Sequence, residues 1–283
     1  MTHGICPLST VSIRSSSSHR SEMISQLLFG ELVEVLEQKG RQWVKVRCAH
    51  DNFIGWVAAN QLEWITPKEF KAYQDNFAFV LDIFQALSTE EAFIPLTLGA
   101  RLPNFDGLRF AIGGKYYNYS GQAVFPYDII QGPEIIQKIA RRFLHAPFLW
   151  GGRSPMGVDG PGFVQVVFGI AGYPLPREAF EQVERGVNVD FAIQAQAADV
   201  AFFENQKGRI GHTGIMLPEG KIIHAYGKVR IDKLDHYGIF NEDQGRYTHR
   251  LRIIKRLWQV KNKTAQPETI KTSERVSQQI PLF

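Results

Sequence analysis

The run "FVQVVFGIAG", Phe163–Gly172, constrains the fold more than any other stretch, because it is apolar on nearly every side, rich in small residues and closed by a glycine. A helix that is apolar all round is a buried one. Upstream, "PEIIQKIARR", Pro133–Arg142, places apolar residues at helical spacing, with proline at its start and basic residues at its end, as the helix dipole favours. Downstream, "ADVAFFE", "IGHTGIML", "KIIHAYG" and "RIDKL" read as consecutive strands. The expected fold class of this part is α+β, with helices packed on an antiparallel sheet.

The chain before Pro133 reads differently. From Gly4 to Ile65, "LVEVLEQ", "WVKVRCA" and "FIGWVAANQLEWI" alternate apolar and polar positions, punctuated by Gly30, Gly40 and Asp51-Asn52, the pattern of a small β-barrel. Val44, Val46 and Cys48 share one parity, so Cys48 is expected inside the barrel rather than in any chemical role. Cys6 precedes a proline and shows no partner pattern. "TPKEFKAYQ" then opens a helix, with Thr66 as N-cap and Pro67 at its first position. Strands return in "FIPLTLGARLPNF" and "LRFAIGGKYYNYSGQAV", with Gly113-Gly114 as a hairpin turn, giving a second small β unit. Tyr116, Tyr117 and Tyr119 are read as strand residues of that unit rather than as the lining of a cleft.

The sequence "VSIRSSSSHRSEMISQLLFGELVEVLEQKGRQWVKVR" followed by "GWVAANQL" resembles a bacterial SH3-like domain. Such modules bind wall peptides or position a catalytic neighbour. Four segments are therefore expected: an SH3-like domain at 1–65, a linker helix and second, diverged SH3-like unit at 66–130, the helix-and-sheet domain at 131–258, and a basic tail at 259–283.

Bulk properties exclude several classes. A net charge of +4 would suit a polyanion partner, but the basic residues are scattered outside the tail, so no nucleic-acid partner is expected. Apolar runs stay well short of the roughly 20 residues of a membrane helix, and the start "MTHGICPLSTVSIRSSSS" lacks the pattern of a secretory leader. With only two cysteines in 283 residues, the expectation is a cytoplasmic protein with no membrane partner.

The stretch "FLWGGRSPMGVDGPGFVQ", Phe148–Gln165, has the surroundings of a nucleophile loop that opens a buried helix. If Pro218-Glu219-Gly220 joins two strands, Gly214 faces His224, Leu217 faces Lys221, and His212 becomes a diagonal neighbour of His224. One imidazole as base and a second polar group fixing its tautomer is the arrangement a thiol nucleophile needs, and a helix N-terminus lowers a thiol pKa.

On these residues Pro133–Trp258 resembles an NlpC-type (NlpC/p60) cell-wall cysteine peptidase, a papain-like family; the matching pieces are "FLWGGRSPMGVDGPGFVQ", "GYPLPREAFEQVERG", "ADVAFFE", "GRIGHTGIML" and "IIHAYGKVRID". The resemblance implies His212 as base and His224 as the third polar residue. In the family the loop reads Asp-Cys-Ser-Gly, whereas here it reads Asp159-Gly160-Pro161-Gly162. Coupling to SH3-like modules is similar to the subgroup that cleaves after γ-D-glutamate in free wall peptides and releases L-Ala-γ-D-Glu. That likeness implies a muropeptide ligand such as L-Ala-γ-D-Glu-diamino acid, with Asp159 and Glu178 recognising its free amine and Arg177 and Trp150 as further contact residues.

Glycine has no atom that attacks a carbonyl. Glycine at an N-cap and proline in the first turn preserve a helix start, so the substitution removes a side chain and not a fold. Three readings stay open: a pseudoenzyme that binds wall peptides, a hydrolase using water activated by His212 or the hydroxyl of Ser154, and a structural protein with a vestigial cleft. Ser154 in "GRSPM" lacks the nucleophile-elbow pattern. Paired histidines near a carboxylate can ligate zinc, but no third ligand is evident, so no metal and no cofactor is expected. His3, His19, His50, His145, His236 and His249 are expected on the surface.

Overall fold

The computed structural model describes residues 2–190, 192–205 and 207–258, and the expected tail at 259–283 lies outside them. The first unit is a seven-stranded antiparallel sheet. Its spatial order is Met23–Leu28, Thr10–Arg14, Ile54–Ala58, Trp43–Cys48, Leu32–Lys39, His3–Ile5 and Glu63–Ile65. Alternation puts Val11, Ile13, Val44, Val46 and Val57 into its core, and Cys6 and Cys48 are buried with them. Burial pushes both thiols up, away from thiolate, and both are free.

Helix α1 (Pro67–Asp75) starts at the expected place because Thr66 and Glu69 form a reciprocal capping box. Two small antiparallel sheets follow. In one, Ile112 faces Lys115 across Gly113 and Gly114, whose φ of 56° and 79° are those of a two-residue hairpin turn. Tyr117 and Tyr119 are buried and Tyr116 is exposed. This core is not separate from the first unit: Ile5, Phe29 and Leu32 pack into one cluster with Leu102, Phe110 and Tyr117.

The last unit holds α2 (Pro133–Arg141), α3 (Gly160–Ile170) and the one-turn α4 (Ala179–Gln182). The two longer helices pack on one another and on a seven-stranded antiparallel sheet. Its order is Val187–Val189, Arg246–Arg256, Val200–Glu204, Ile210–Leu217, Lys221–Tyr226, Lys228–Leu234 and Gly238–Asn241. Gly238–Asn241 also pairs with Arg246–Arg256, which closes this sheet into a barrel. Phe163, Val167 and Phe168 of α3 are fully buried among Ile139, Phe143, Val200, Phe202, Ile215 and Ile223. The described residues are more strand-rich than an α+β label implies, because among them helices form a layer only here. No helix among the described residues is long and apolar enough to cross a membrane.

A buried ion pair ties the first unit to the last. The Arg153 guanidinium donates to both carboxylate oxygens of Glu31, at 2.7 and 3.0 Å, and its Nε donates to Gln165 Oε1 on α3 at 2.7 Å. Nη1 also donates to the Gln26 carbonyl at 2.7 Å. Burial alone would push Glu31 up, but Arg153 and His50 overcome it and hold the carboxyl at about 2.

Candidate functional site

The site forms where the start of α3 meets the sheet. Asp159 is the N-cap: its Oδ1 accepts from the Gly162 N–H at 2.8 Å. Gly160 is therefore the first helical residue and not the cap, which corrects the expectation from sequence. Pro161 follows in the first turn, where a missing N–H costs nothing. Gly162 is required sterically, since a Cβ there would lie 2.3 Å from the Gly152 carbonyl oxygen. A Cβ at Gly160 would meet His212 Nδ1 at 3.0 Å and the Thr213 carbonyl oxygen at 3.1 Å. Position 160 thus lies directly against the expected base.

Behind His212 the cross-strand register is the expected one, with Gly214 facing His224 and Leu217 facing Lys221. His212 Nε2 lies 3.0 Å from His224 Nδ1, and His224 Nε2 lies 3.0 Å from Asp232 Oδ2. Asp232 is pinned by Arg230, whose Nε and Nη2 donate at 2.8 Å each, and by Asn241. A carboxylate only accepts, so the tautomers follow in sequence. His224 donates from Nε2 and accepts at Nδ1; His212 donates from Nε2 and presents a bare lone pair at Nδ1 toward Gly160.

Burial pushes His212 well below the usual histidine range, and the neighbouring His249 and His224 add to it. Burial also lowers His224, against the upward pull of Asp232. Both imidazoles are therefore neutral at pH 7, the state of a general base. Sequence reasoning missed Asp232, although the signal was available. His224 faces Arg230 across the next strand pair, which puts Asp232 at the diagonal position.

Sequence reasoning also missed His249. It was expected on the surface, yet its ring stacks on His212 at 4.1 Å between centroids and meets His224 edge-on at 5.6 Å. Burial pushes it down to about 4. One ligating nitrogen from each of His212, His224 and His249 lies within 4.8 Å of the others, so a third candidate ligand does exist where none was expected. An open cleft of about 680 Å³ borders His249, with Tyr237, Tyr247 and Glu204 on its walls. His50 is a second misplaced histidine; its side chain is 9% exposed and lies against Glu31 and Asp51.

The residues expected to contact a ligand divide into two kinds. Arg177 is 2% exposed and is spent internally, donating to Asp159 Oδ2 at 2.6 Å and to Ser25 Oγ at 3.1 Å. It positions Asp159 rather than facing a ligand, which corrects the expectation. Asp159 is itself buried, and Oδ2 also accepts from the Gly151 N–H at 2.9 Å. Glu178, at the start of α4, is half-buried, and among the described residues its carboxylate has no hydrogen-bond partner. Burial pushes it up, Arg177 pulls it down, and Asp159, Glu181 and Glu22 add like charge. Trp150 is exposed and donates from Nε1 to Glu22 Oε1 at 2.7 Å, joining the site's rim to the first unit.

Alternative nucleophiles are poorly placed. Cys6 and Cys48 lie in the core of the first unit. Ser154 is 2% exposed, and its hydroxyl accepts from the Met156 N–H at 3.2 Å.

Residues 13–62 match the bacterial dipeptidyl-peptidase Sh3 domain family, and residues 145–245 match the NlpC/P60 family. The γ-D-glutamyl-L-lysine dipeptidyl-peptidase of Bacillus subtilis is 31% identical over 216 residues, covering 71% of this chain and 71% of the relative. A Bacillus cereus protein of the same name is 27% identical over 256 residues, covering 81% of this chain and 75% of that one. The fold matches the crystal structure of an NlpC/P60 family protein from Bacillus cereus at a TM-score of 0.77, with 20% identity, over 91% of this chain and all of the other.

Proposed function

The chain belongs to the NlpC/P60 family, as a homologue of γ-D-glutamyl-L-lysine dipeptidyl-peptidases with an N-terminal SH3-like domain, and on that footing we propose that it binds wall peptides of the L-Ala-γ-D-Glu-diamino acid class without cleaving them by the papain-like covalent route. One observation carries this reading: the Asp232–His224–His212 relay aims a neutral lone pair at a residue with no side chain. The relay accounts for a proton acceptor, and Gly160 offers no proton to accept and no atom to attack with. Burial of both cysteines and of Ser154 supports the same reading.

Recognition falls to Glu178. Its half-buried carboxylate, without a hydrogen-bond partner among the described residues and flanked by the charges of Asp159 and Glu22, suits the free α-ammonium of an N-terminal L-Ala. Glu178→Gln is expected to weaken binding of L-Ala-γ-D-Glu-diaminopimelate about 10- to 100-fold in calorimetric titration. The pH dependence follows from the raised carboxyl. The charged form binds the ammonium, so affinity in the unmodified protein falls on acidification, beginning above the ordinary glutamate range. Unchanged affinity in the variant would remove Glu178 from the ammonium site.

A further inference from the structure

His249 takes no part in the proton relay, yet it completes a set of three imidazoles drawn from three strands. We propose that His212, His224 and His249 bind a divalent transition-metal ion of the zinc class. His212 Nε2 and His224 Nδ1 are 3.0 Å apart, near the separation of roughly 3.3 Å that two nitrogens keep on one tetrahedral ion with bonds of about 2.0–2.1 Å. The ion would displace the hydrogen bond and sit off the line between the two nitrogens, so both rings must turn until their lone pairs converge on it. His249 must approach by roughly 1–1.5 Å from the outer limit of 4.8 Å, a rotation of a half-exposed ring rather than a shift of backbone.

The surroundings are those of a supported ligand set. Asp232 accepts from His224 Nε2 and so presents Nδ1 as the ligand atom, the carboxylate–histidine arrangement of metal sites. Thr248 Oγ1 lies 2.9 Å from His249 Nδ1 and, by accepting its hydrogen, leaves Nε2 for the ion. Three imidazoles and no thiolate suit zinc, cobalt, nickel or copper rather than calcium or magnesium. The open cleft beside His249 is a path of entry.

The inference stands independently of the peptide reading and has a consequence for it. An ion on His212 Nε2 requires the proton there to move, through solvent, to Nδ1. The lone pair facing Gly160 is then lost, so the ion and the base function exclude each other.

The test is titration of the full chain with cobalt chloride, read by visible absorption, followed by displacement with zinc chloride. The expected result is one cobalt per chain with the intense bands of tetrahedral coordination, displaced by zinc. His249→Gln, whose fold is checked by circular dichroism, should weaken binding at least tenfold, and Asp232→Asn about 10- to 100-fold. Absence of saturable one-to-one binding would overturn the proposal. So would binding that His249→Gln leaves unchanged, since the ion would then sit on other histidines.

Discussion

Gly160→Cys is expected to turn the protein into a peptidase. The proposed base is already positioned: His212 Nδ1 is bare, neutral and aimed at position 160, and His224 and Asp232 hold its tautomer. The introduced thiol gives its proton to Nδ1, and the sulfur attacks the γ-D-glutamyl carbonyl. The amine leaves with that proton, and water then releases the acyl group. The Gly160 N–H has no partner among the described residues and points from the helix start, where an oxyanion would form.

The gain should be large, on the order of 10³–10⁶-fold over the unmodified chain, because losing a nucleophile costs that much elsewhere. Crowding sets a limit on the single change, since the new Cβ would lie 3.0 Å from the ring and His212 must give by a few tenths of an ångström. Gly160→Cys with Pro161→Ser turns the loop into the Asp-Cys-Ser-Gly of the family it resembles and should be the more active. Appearance of L-Ala-γ-D-Glu by mass spectrometry reads the outcome. If the double variant binds the peptide and leaves it intact, the relay is not the working base described here.

The second large effect lies away from the site, at the junction of the units. Arg153→Met leaves the Glu31 carboxyl 2% exposed and without its bidentate partner, and such a loss costs about 3–5 kcal/mol. At about 2–4 °C per kcal/mol for a chain of this size, the melting temperature should fall by roughly 6–20 °C. Pairing the change with Glu31→Leu should recover most of the loss, because a buried ion pair replaced by apolar groups is close to neutral. If the double variant is as unstable as the single one, the damage is to packing and not to charge.

The pH dependence has a definite sign. Glu31 is lowered from 4.5 to about 2 in the folded chain, so its contribution is complete above about 4.5 and is lost as pH falls toward 2. Arg153→Met should flatten the acid limb of the stability profile in that window.

Local pattern made much of this molecule legible. Period-two alternation gave the strands of the first unit and the burial of Cys48, and a three-residue loop between two apolar runs was enough to put His212 diagonal to His224. The same rule applied one strand further would have found Asp232. His249 is a different case. Its strand, Arg246–Arg256, carries charge along most of its length, and register shifts occur where it pairs with Val200–Glu204 and with Gly238–Asn241. Such bulges scramble parity, and His249 meets His212 across the end of Val200–Glu204, the strand that pairs with both of theirs.

Arg177 was misread for the opposite reason. A charged residue in a binding motif reads as a contact, while the structure buries it as the support of Asp159. Nor could Arg153 be matched to Glu31 from sequence, since 122 positions separate them and no periodicity connects them.

Calorimetric titration of the unmodified protein with L-Ala-γ-D-Glu-diaminopimelate, followed by mass analysis of the recovered ligand, tests the central claim most directly. Saturable one-to-one binding with the peptide intact is the predicted result, with a gain of about 2.7 kcal/mol in stability at a hundred times the dissociation constant. Recovery of free L-Ala-γ-D-Glu, or no binding at all, would contradict it.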